Sequence, residues 1–418
     1  MKVAMISEHA SPLAALGGVD AGGQNVHVAA LSSALARLGH TVTVYTRRDD
    51  PSLPERVDAA PGVEVVHVTA GPAEVIPKDD LLPYIPALGA GVAADWSGGR
   101  RPDVVHGHFW MSGLAAIDAA RSVAPDGSIP VLQTFHALGT VKRRHQGAAD
   151  TSPPERERLE PWVGRNVDRV IATCSDEVFE LRALGVPAAA ISVAPCGVDS
   201  DLFRPDGPTE EAGERTRIAV VGRLVPRKGV GTTITALVQL KRSGRTDIEL
   251  LVVGGAGDAG HLADDPEAAR LSALARELGV DDQVVFRGRI PQPELPRILR
   301  SCRAVVCAPW YEPFGIVPLE AMACGVPVIA AMVGGLIDTV VDGLTGLHVP
   351  PCDPGAIARA IEHLVDHPDE AAALGRAGRA RARRRYSWDR IAIATAKAYD
   401  EAMSRQPVPS RTGAVRSR

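Results

Sequence analysis

Short apolar runs rich in β-branched residues alternate along this chain with longer segments of helical period. In the first half the runs are "VAMIS", "TVTVYT", "VEVVHVT", "DVVHGH", "IPVLQTFH", "RVIATC" and "ISVAPCG". Between many of them lie Ala- and Leu-rich segments such as "VHVAALSSALARLG", which ends in the Leu-Gly-His stop expected of a helix. The second half restarts the rhythm with "TRIAVVGRL", "IELLVVGG", "QVVFRG", "AVVCAPW", "PVIAAMVG" and "GLHVP". Strands alternating with helices at this spacing predict an α/β protein whose parallel sheets are buried on both faces. A chain of 418 residues exceeds one ordinary core, so two such domains are expected. The seam falls in "DSDLFRPDGPTEEAGERT", rich in Pro, Gly and acids, as a hinge should be. Residues 1–205 and 206–386 then form two Rossmann-like, doubly wound domains facing a central cleft. A last helix is expected over 387–403, and the tail 404–418 has too little apolar content to pack.

Composition narrows the class. Hydrophobic residues make up 45% and charged residues 23%, as in ordinary globular proteins. The net charge of −4 lacks the basic excess of a phosphate-tracking surface, so nucleic acid is not an expected partner. Six cysteines occur without a CxxC pair or zinc-ligand spacing, which fits reduced thiols in a cytoplasm and no metal site. The first apolar run is too short for a signal peptide, and no window approaches a transmembrane span. The arginine run "GRAGRARARRRYSW" could dock on anionic lipid, although a solvated helix face is the preferred reading. A homodimer is compatible with all of this.

Two facing domains leave a cleft, and ligands of such sheets sit outside the carboxyl ends of strands. Four glycines within residues 17–23, between the first strand and an amphipathic helix, invite a close approach to some ligand. No GK[ST] follows, so this is not a P-loop. A dinucleotide fingerprint fails too, because Arg47 and Arg48 stand where the ribose acid should be. "GAGDAG", residues 255–260, matches GxGxxG, but "HLADDPE" delays the helix and the next strand ends near Arg287. "DSD" at 199–201 sits at the seam and reads as turn chemistry rather than a metal site.

The chemistry concentrates in "APWYEPFGIVPLEAMACGVPVIA", residues 308–330. A strand leads into a loop with Glu312, then Gly315, then a helix containing Glu320. The helix start offers unpaired N–H groups and a positive dipole end, a site suited to a diphosphate. Glu320, about one turn in, can accept both hydroxyls of a ribose, and Glu312 can reach a sugar carried on the same diphosphate. "VVGRLVPRKGV" adds Arg223 and Lys228, cations able to meet the two phosphates without a metal.

These residues resemble family 4 retaining glycosyltransferases of GT-B fold: E-x7-E at Glu312 and Glu320, "EAMACGVPVIA" after it, and "GRL-x-x-x-KG" before. The resemblance spans the chain to about residue 403. It implies that the C-terminal domain holds a nucleotide-diphosphate sugar, most often of UDP, and that the N-terminal domain holds the acceptor. It further implies that the last helix crosses back to the first domain and that no cofactor is required. Gly22 and Gly23 would then border the donor from across the cleft. Phe314, Gly315, Ile316 and Val317 would form the helix entrance around it. His136 in "QTFHALG" would sit by the reacting sugar with Glu312, Arg223 and Lys228. Retention with no second carboxylate implies a front-face route.

Within the family the likeness is greatest to the mycothiol-pathway inositol-phosphate N-acetylglucosaminyltransferases. It implies an acceptor side built from His9, Asp20, Asn25, Lys78, Phe109 and Arg156 or Arg158. Two positions depart: Phe109 lacks a phenolic donor, and Ala137 stands where a hydroxyl is expected. The acceptor is therefore read broadly, as a cyclitol, aminocyclitol, inositol phosphate or sugar phosphate. The rival readings are an NAD-linked oxidoreductase using "GAGDAG" and a nucleotide-sugar-binding protein without turnover.

Overall fold

Each of those thirteen runs forms a strand, and the strands sort into two sheets. The computed structural model of the chain describes residues 1–14, 22–255 and 265–404. Asp20, most of "GAGDAG" and nearly all of the expected tail lie outside the described residues. The first sheet holds β1 (Lys2–Ile6), β2 (Thr41–Arg47), β3 (Arg56–Ala60), β4 (Val63–Val68), β5 (Val104–His108), β6 (Val131–Thr134), β7 (Arg169–Ala172) and β8 (Ile191–Val193). Their order is β3-β4-β2-β1-β5-β6-β7-β8. The second sheet holds β9 (Thr216–Val221), β10 (Ile248–Val253), β11 (Val284–Gly288), β12 (Ala304–Cys307), β13 (Val328–Ala331) and β14 (Gly346–Val349), in the order β11-β10-β9-β12-β13-β14. Both orders switch direction beside the first strand of the half, where ligand crevices form.

One strand departs from the expected all-parallel arrangement. β3 pairs antiparallel with β4, across a tight Pro61–Gly62 turn in which Gly62 has φ 77°. Its sequence, "RVDAA", is short, half-exposed and without alternation, so nothing in its pattern marked it. The central strands meet expectation: all five residues of β5 are buried.

Asp199 accepts the amides of Asp201 and Leu202 at 2.9 and 3.0 Å, which is the turn chemistry expected of the seam. The last helix, Trp388–Met403, lies on the first domain. Its Asp389 pairs with Arg37 at 2.7 Å, and its buried Tyr399 places the hydroxyl 2.9 Å from His106 Nδ1. A further contact joins the domains. The Asp338 carboxylate accepts Ser175 N–H at 2.6 Å and its hydroxyl at 2.7 Å, capping the helix Ser175–Ala183 from the other domain. The arginine run forms the end of helix Pro368–Arg385. Arg383, Arg384 and Arg385 are exposed, while Arg381 bonds the carbonyls of Thr339 and Asp338. Among the described residues no helix is long and apolar enough to cross a membrane.

Candidate active site

A cleft of about 700 Å³ opens between the carboxyl ends of the two sheets. It is lined by Gly22, Gly23 and His136 from the first domain and by Arg223, Lys228, Glu312, Phe314, Gly315, Ile316, Val317 and Glu320 from the second. Every residue expected to meet the donor or the reacting sugar thus shares one cavity. A larger hollow of about 1010 Å³ runs along the hinge and shares Val26, Gln292, Ile316 and Glu320 with this cleft. It holds none of the cations beside Glu312, so the smaller cleft is the chemical one.

The donor side is built from β12 outward. Past the strand the chain runs to Gly315, at φ 84°, where an added Cβ would come 2.7 Å from Leu336. Only glycine takes that backbone without strain, and it lets the helix Ile316–Ala323 begin with its amides toward the cleft. The loop is pinned from behind by Gly335 N–H, which donates to the Glu312 carbonyl at 3.1 Å.

The two glutamates live in opposite electrostatic settings. Burial alone would raise the Glu312 carboxyl, but the Lys228 ammonium that grips it, with Arg227 3.7 Å away and Arg223 beyond, holds it below the usual range. Glu320 is 6% exposed, and among the described residues its carboxylate has one hydrogen-bonding neighbour, the Gln292 amide at 3.5 Å. Burial pushes its carboxyl up to about 7, against the weaker pull of that amide. It is a buried acceptor in want of donors.

Across the cleft, Gly22 and Gly23 begin the helix Gly23–Arg37. Among the described residues, a Cβ on Gly22 would meet nothing within 4 Å, and one on Gly23 would reach Ile316 Cδ1 alone, at 3.5 Å. Two helix entrances therefore line the same cavity from opposite domains, both presenting positive dipole ends. His136 follows β6 with φ 60°, and its Nε2 lies 3.0 Å from His108 Nδ1. Burial, reinforced by His27, His106 and His9, keeps its imidazole neutral far below the usual histidine range.

The expected acceptor residues divide. His9 and Phe109 meet edge to face at 4.9 Å, and the Arg156 guanidinium lies over the same Phe109 ring, also at 4.9 Å. Arg156 is buried, not presented: it bonds Glu160 at 2.8 and 3.0 Å and the Ala137 carbonyl at 2.6 Å. Arg158 points outward and is exposed. Lys78 heads the turn Lys78–Asp80, tied to the same region by Asp79, which accepts the Thr151 hydroxyl at 2.6 Å. Asn25 has another use here. Its oxygen accepts Gly22 N–H at 3.0 Å and its amide donates to Ser11 at 3.0 Å, fastening the glycine turn while it lines the hinge hollow.

Sequence reading overlooked Arg227, Gln292 and His108. Arg227 stood in plain view in "VPRKG", next to Lys228. Gln292, in "IPQPEL", and His108, in "VVHGHFW", carried no local signal, since their importance comes from side chains far along the chain.

The family model for "Glycosyltransferase Family 4" matches residues 21–202, and that for "Glycosyl transferases group 1" matches residues 206–381. A D-inositol 3-phosphate glycosyltransferase of Streptomyces bingchenggensis is 37% identical, over 96% of this chain and 90% of that protein. A D-inositol 3-phosphate glycosyltransferase 2 of Catenulispora acidiphila is 37% identical, over 96% and 95%. A solved sucrose-phosphate synthase from Thermosynechococcus elongatus superposes with a TM-score of 0.83 and 32% identity, over 96% of this chain and 98% of that one. Anabaena HepE, solved with UDP and glucose, shares the fold at a TM-score of 0.72 and 19% identity. With its two facing sheets, its glutamate pair on one helix entrance and these relatives, the chain belongs to the family 4 glycosyltransferases of GT-B fold.

Proposed function

We propose that this enzyme transfers a hexosyl or N-acetylhexosaminyl group, with retention, from a nucleotide-diphosphate sugar to a small polyhydroxylated acceptor. UDP is the expected nucleotide. One observation carries the proposal: His136, Arg223, Lys228, Glu312 and Glu320 line one cleft together with a helix entrance from each domain. Glu320 takes the ribose hydroxyls, and the diphosphate lies between the helix amides and the cations. Lys228 then exchanges its Glu312 partner for phosphate, which frees Glu312 to hold the sugar. In the front-face route the acceptor hydroxyl passes its proton to the departing phosphate oxygen as the new glycosidic bond forms. Arg223 and Lys228 stabilise the charge left on that phosphate.

The acceptor is a cyclitol, aminocyclitol or sugar, and its phosphorylation is the finer question. The names of the inositol-phosphate and sucrose-phosphate relatives support a phosphorylated one. Phe109, Ala137 and the neutralisation of Arg156 by Glu160 support a neutral one. A cytoplasmic setting goes with the proposal, supported by six free thiols. The test is mass-spectrometric detection of product from UDP-glucose and UDP-N-acetylglucosamine against inositol, inositol phosphate, aminocyclitols and hexose phosphates. Stabilisation by NADH with no response to any UDP-sugar would overturn the proposal. Tight donor binding without product from any acceptor would favour a binding protein.

A further inference from the structure

The cleft histidine does not stand alone. Behind it lie His108, His106 and His27, with ring centres 5.3 Å apart for His108–His136, 4.1 Å for His106–His108 and 5.0 Å for His27–His136. His27, His106 and His108 are at most 3% exposed. Burial and mutual proximity hold all of these rings neutral at pH 7, with His27 lowered to about 4 and His106 to about 3. A neutral imidazole carries one N–H, on one nitrogen or the other, and its neighbours decide which.

For most of these rings the neighbours could serve either way. His106 is bracketed by the Tyr399 hydroxyl and the Thr134 hydroxyl, both at 2.9 Å, and hydroxyls can donate or accept. His108 is different. Its Nδ1 meets His136 Nε2 at 3.0 Å, while its Nε2 is buried with no hydrogen-bond partner among the described residues. A single proton is shared along the His108–His136 contact, so two arrangements exist. If His136 donated from Nε2, the His108 proton would sit on Nε2 as a buried N–H with no acceptor. If His108 donates from Nδ1, its orphaned Nε2 is a bare lone pair. Buried unpaired N–H groups are the rarer and costlier defect.

We infer that His108 is a positioning residue that donates from Nδ1 to His136 Nε2, fixing His136 as the Nδ1–H tautomer and turning that N–H toward the cleft. The backbone supports the geometry. His108 ends β5 opposite Thr134 of β6, and the left-handed residues Phe109 and His136 follow, at φ 84° and 60°. The Gln24 amide, from the helix of the glycine turn, also fastens the His108 carbonyl at 3.1 Å. With Nε2 engaged as an acceptor, His136 has no lone pair free for the acceptor's proton. It serves as a hydrogen-bond donor to a sugar hydroxyl, not as a general base. This rests on the assignment of His136 to the sugar site made above.

Two measurements test it. The first is the 15N–1H multiple-bond spectrum of the full-length protein labelled at histidine, with the His136 signals identified by their loss in His136→Asn. The Nδ1–H pattern is expected for His136, and the Nε2–H pattern overturns the inference without any variant needing to be active. The second is kinetic. His108→Leu is expected to lower kcat roughly 10- to 100-fold, the cost of leaving one buried partner unpaired, with the donor KM nearly unchanged. His108→Asn, whose amide sits where Nδ1 was, is expected to recover most of that loss, and His108→Gln is not. His136→Asn should likewise retain more activity than His136→Gln. Equal loss in Asn and Gln variants would overturn the tautomer assignment. An active His136→Ala would instead remove the assignment of His136 to the sugar, which separates the two failures.

Discussion

Glu320 offers the sharpest quantitative test, because its carboxyl is raised to about 7 and its proposed partners are the two ribose hydroxyls. Hydroxyl donors stabilise the ionised form, so donor binding should require that form and release a proton from the free enzyme near pH 6. With a free-enzyme value near 7, about one-eleventh of the carboxyls are ionised at pH 6 and nearly all at pH 8, so affinity should fall about tenfold between them. Titration calorimetry with UDP-glucose measures this cleanly, since its diphosphate diester does not itself titrate there. Repeating it in buffers of different ionisation enthalpy counts the released proton. Glu320→Gln should flatten the pH dependence and weaken binding roughly 10- to 100-fold, from charged hydrogen bonds contributing about 1.5–3 kcal/mol. Stability should move the other way. The folded carboxyl binds its proton more tightly than the unfolded one, whose value is 4.5, so the contribution of this one group to stability falls as pH rises from about 4.5 to 7, against the opposite and larger trend set by the four buried histidines. Across that window the loss from this group is about 3 kcal/mol. Glu320→Gln should therefore raise Tm of the free protein at pH 8 while weakening the donor. A flat affinity from pH 6 to 8 in the unaltered enzyme, or a lowered Tm in the variant, would refute the reasoning.

Three further outcomes are expected. Lys228→Ala should lower kcat by roughly 10²–10³, the usual cost of one transition-state charge partner, with an unchanged circular-dichroism spectrum; turnover within twofold would remove Lys228 from the mechanism. The buried histidines have values depressed below the unfolded 6.5, so they favour folding above that pH and lose this as pH falls through it. Thermal melts should show Tm dropping steeply from pH 7 to 5, and less steeply in His27→Gln. Asp338→Ala should remove the cap that ties the two domains, about 1 kcal/mol. That is about a fivefold shift toward an open cleft, read as a larger radius of gyration in X-ray scattering and a raised donor KM; an unchanged radius would count against the latch.

The sequence by itself determined every described strand but β3, the placing of the motifs in two halves of the chain, and the glycine that opens the helix after β12. These are local matters: alternation of apolar runs and helical periods, a positive-φ position at Gly315, and two glutamates bracketing one helix start. Tertiary structure decided who pairs with whom. Lys228 grips Glu312 across 84 positions, and His106 meets Tyr399 across 293, distances no local pattern spans. It also turned Asn25 into a fastener of the glycine turn and buried Arg156 against Glu160. It added the antiparallel β3, whose weak pattern is rescued by its neighbour's ladder. The two carboxyls of one motif then diverge, one held low by cations and the other raised to about 7. Side-chain type is written in the chain, but charge state depends on desolvation and on neighbours that only the folded packing supplies.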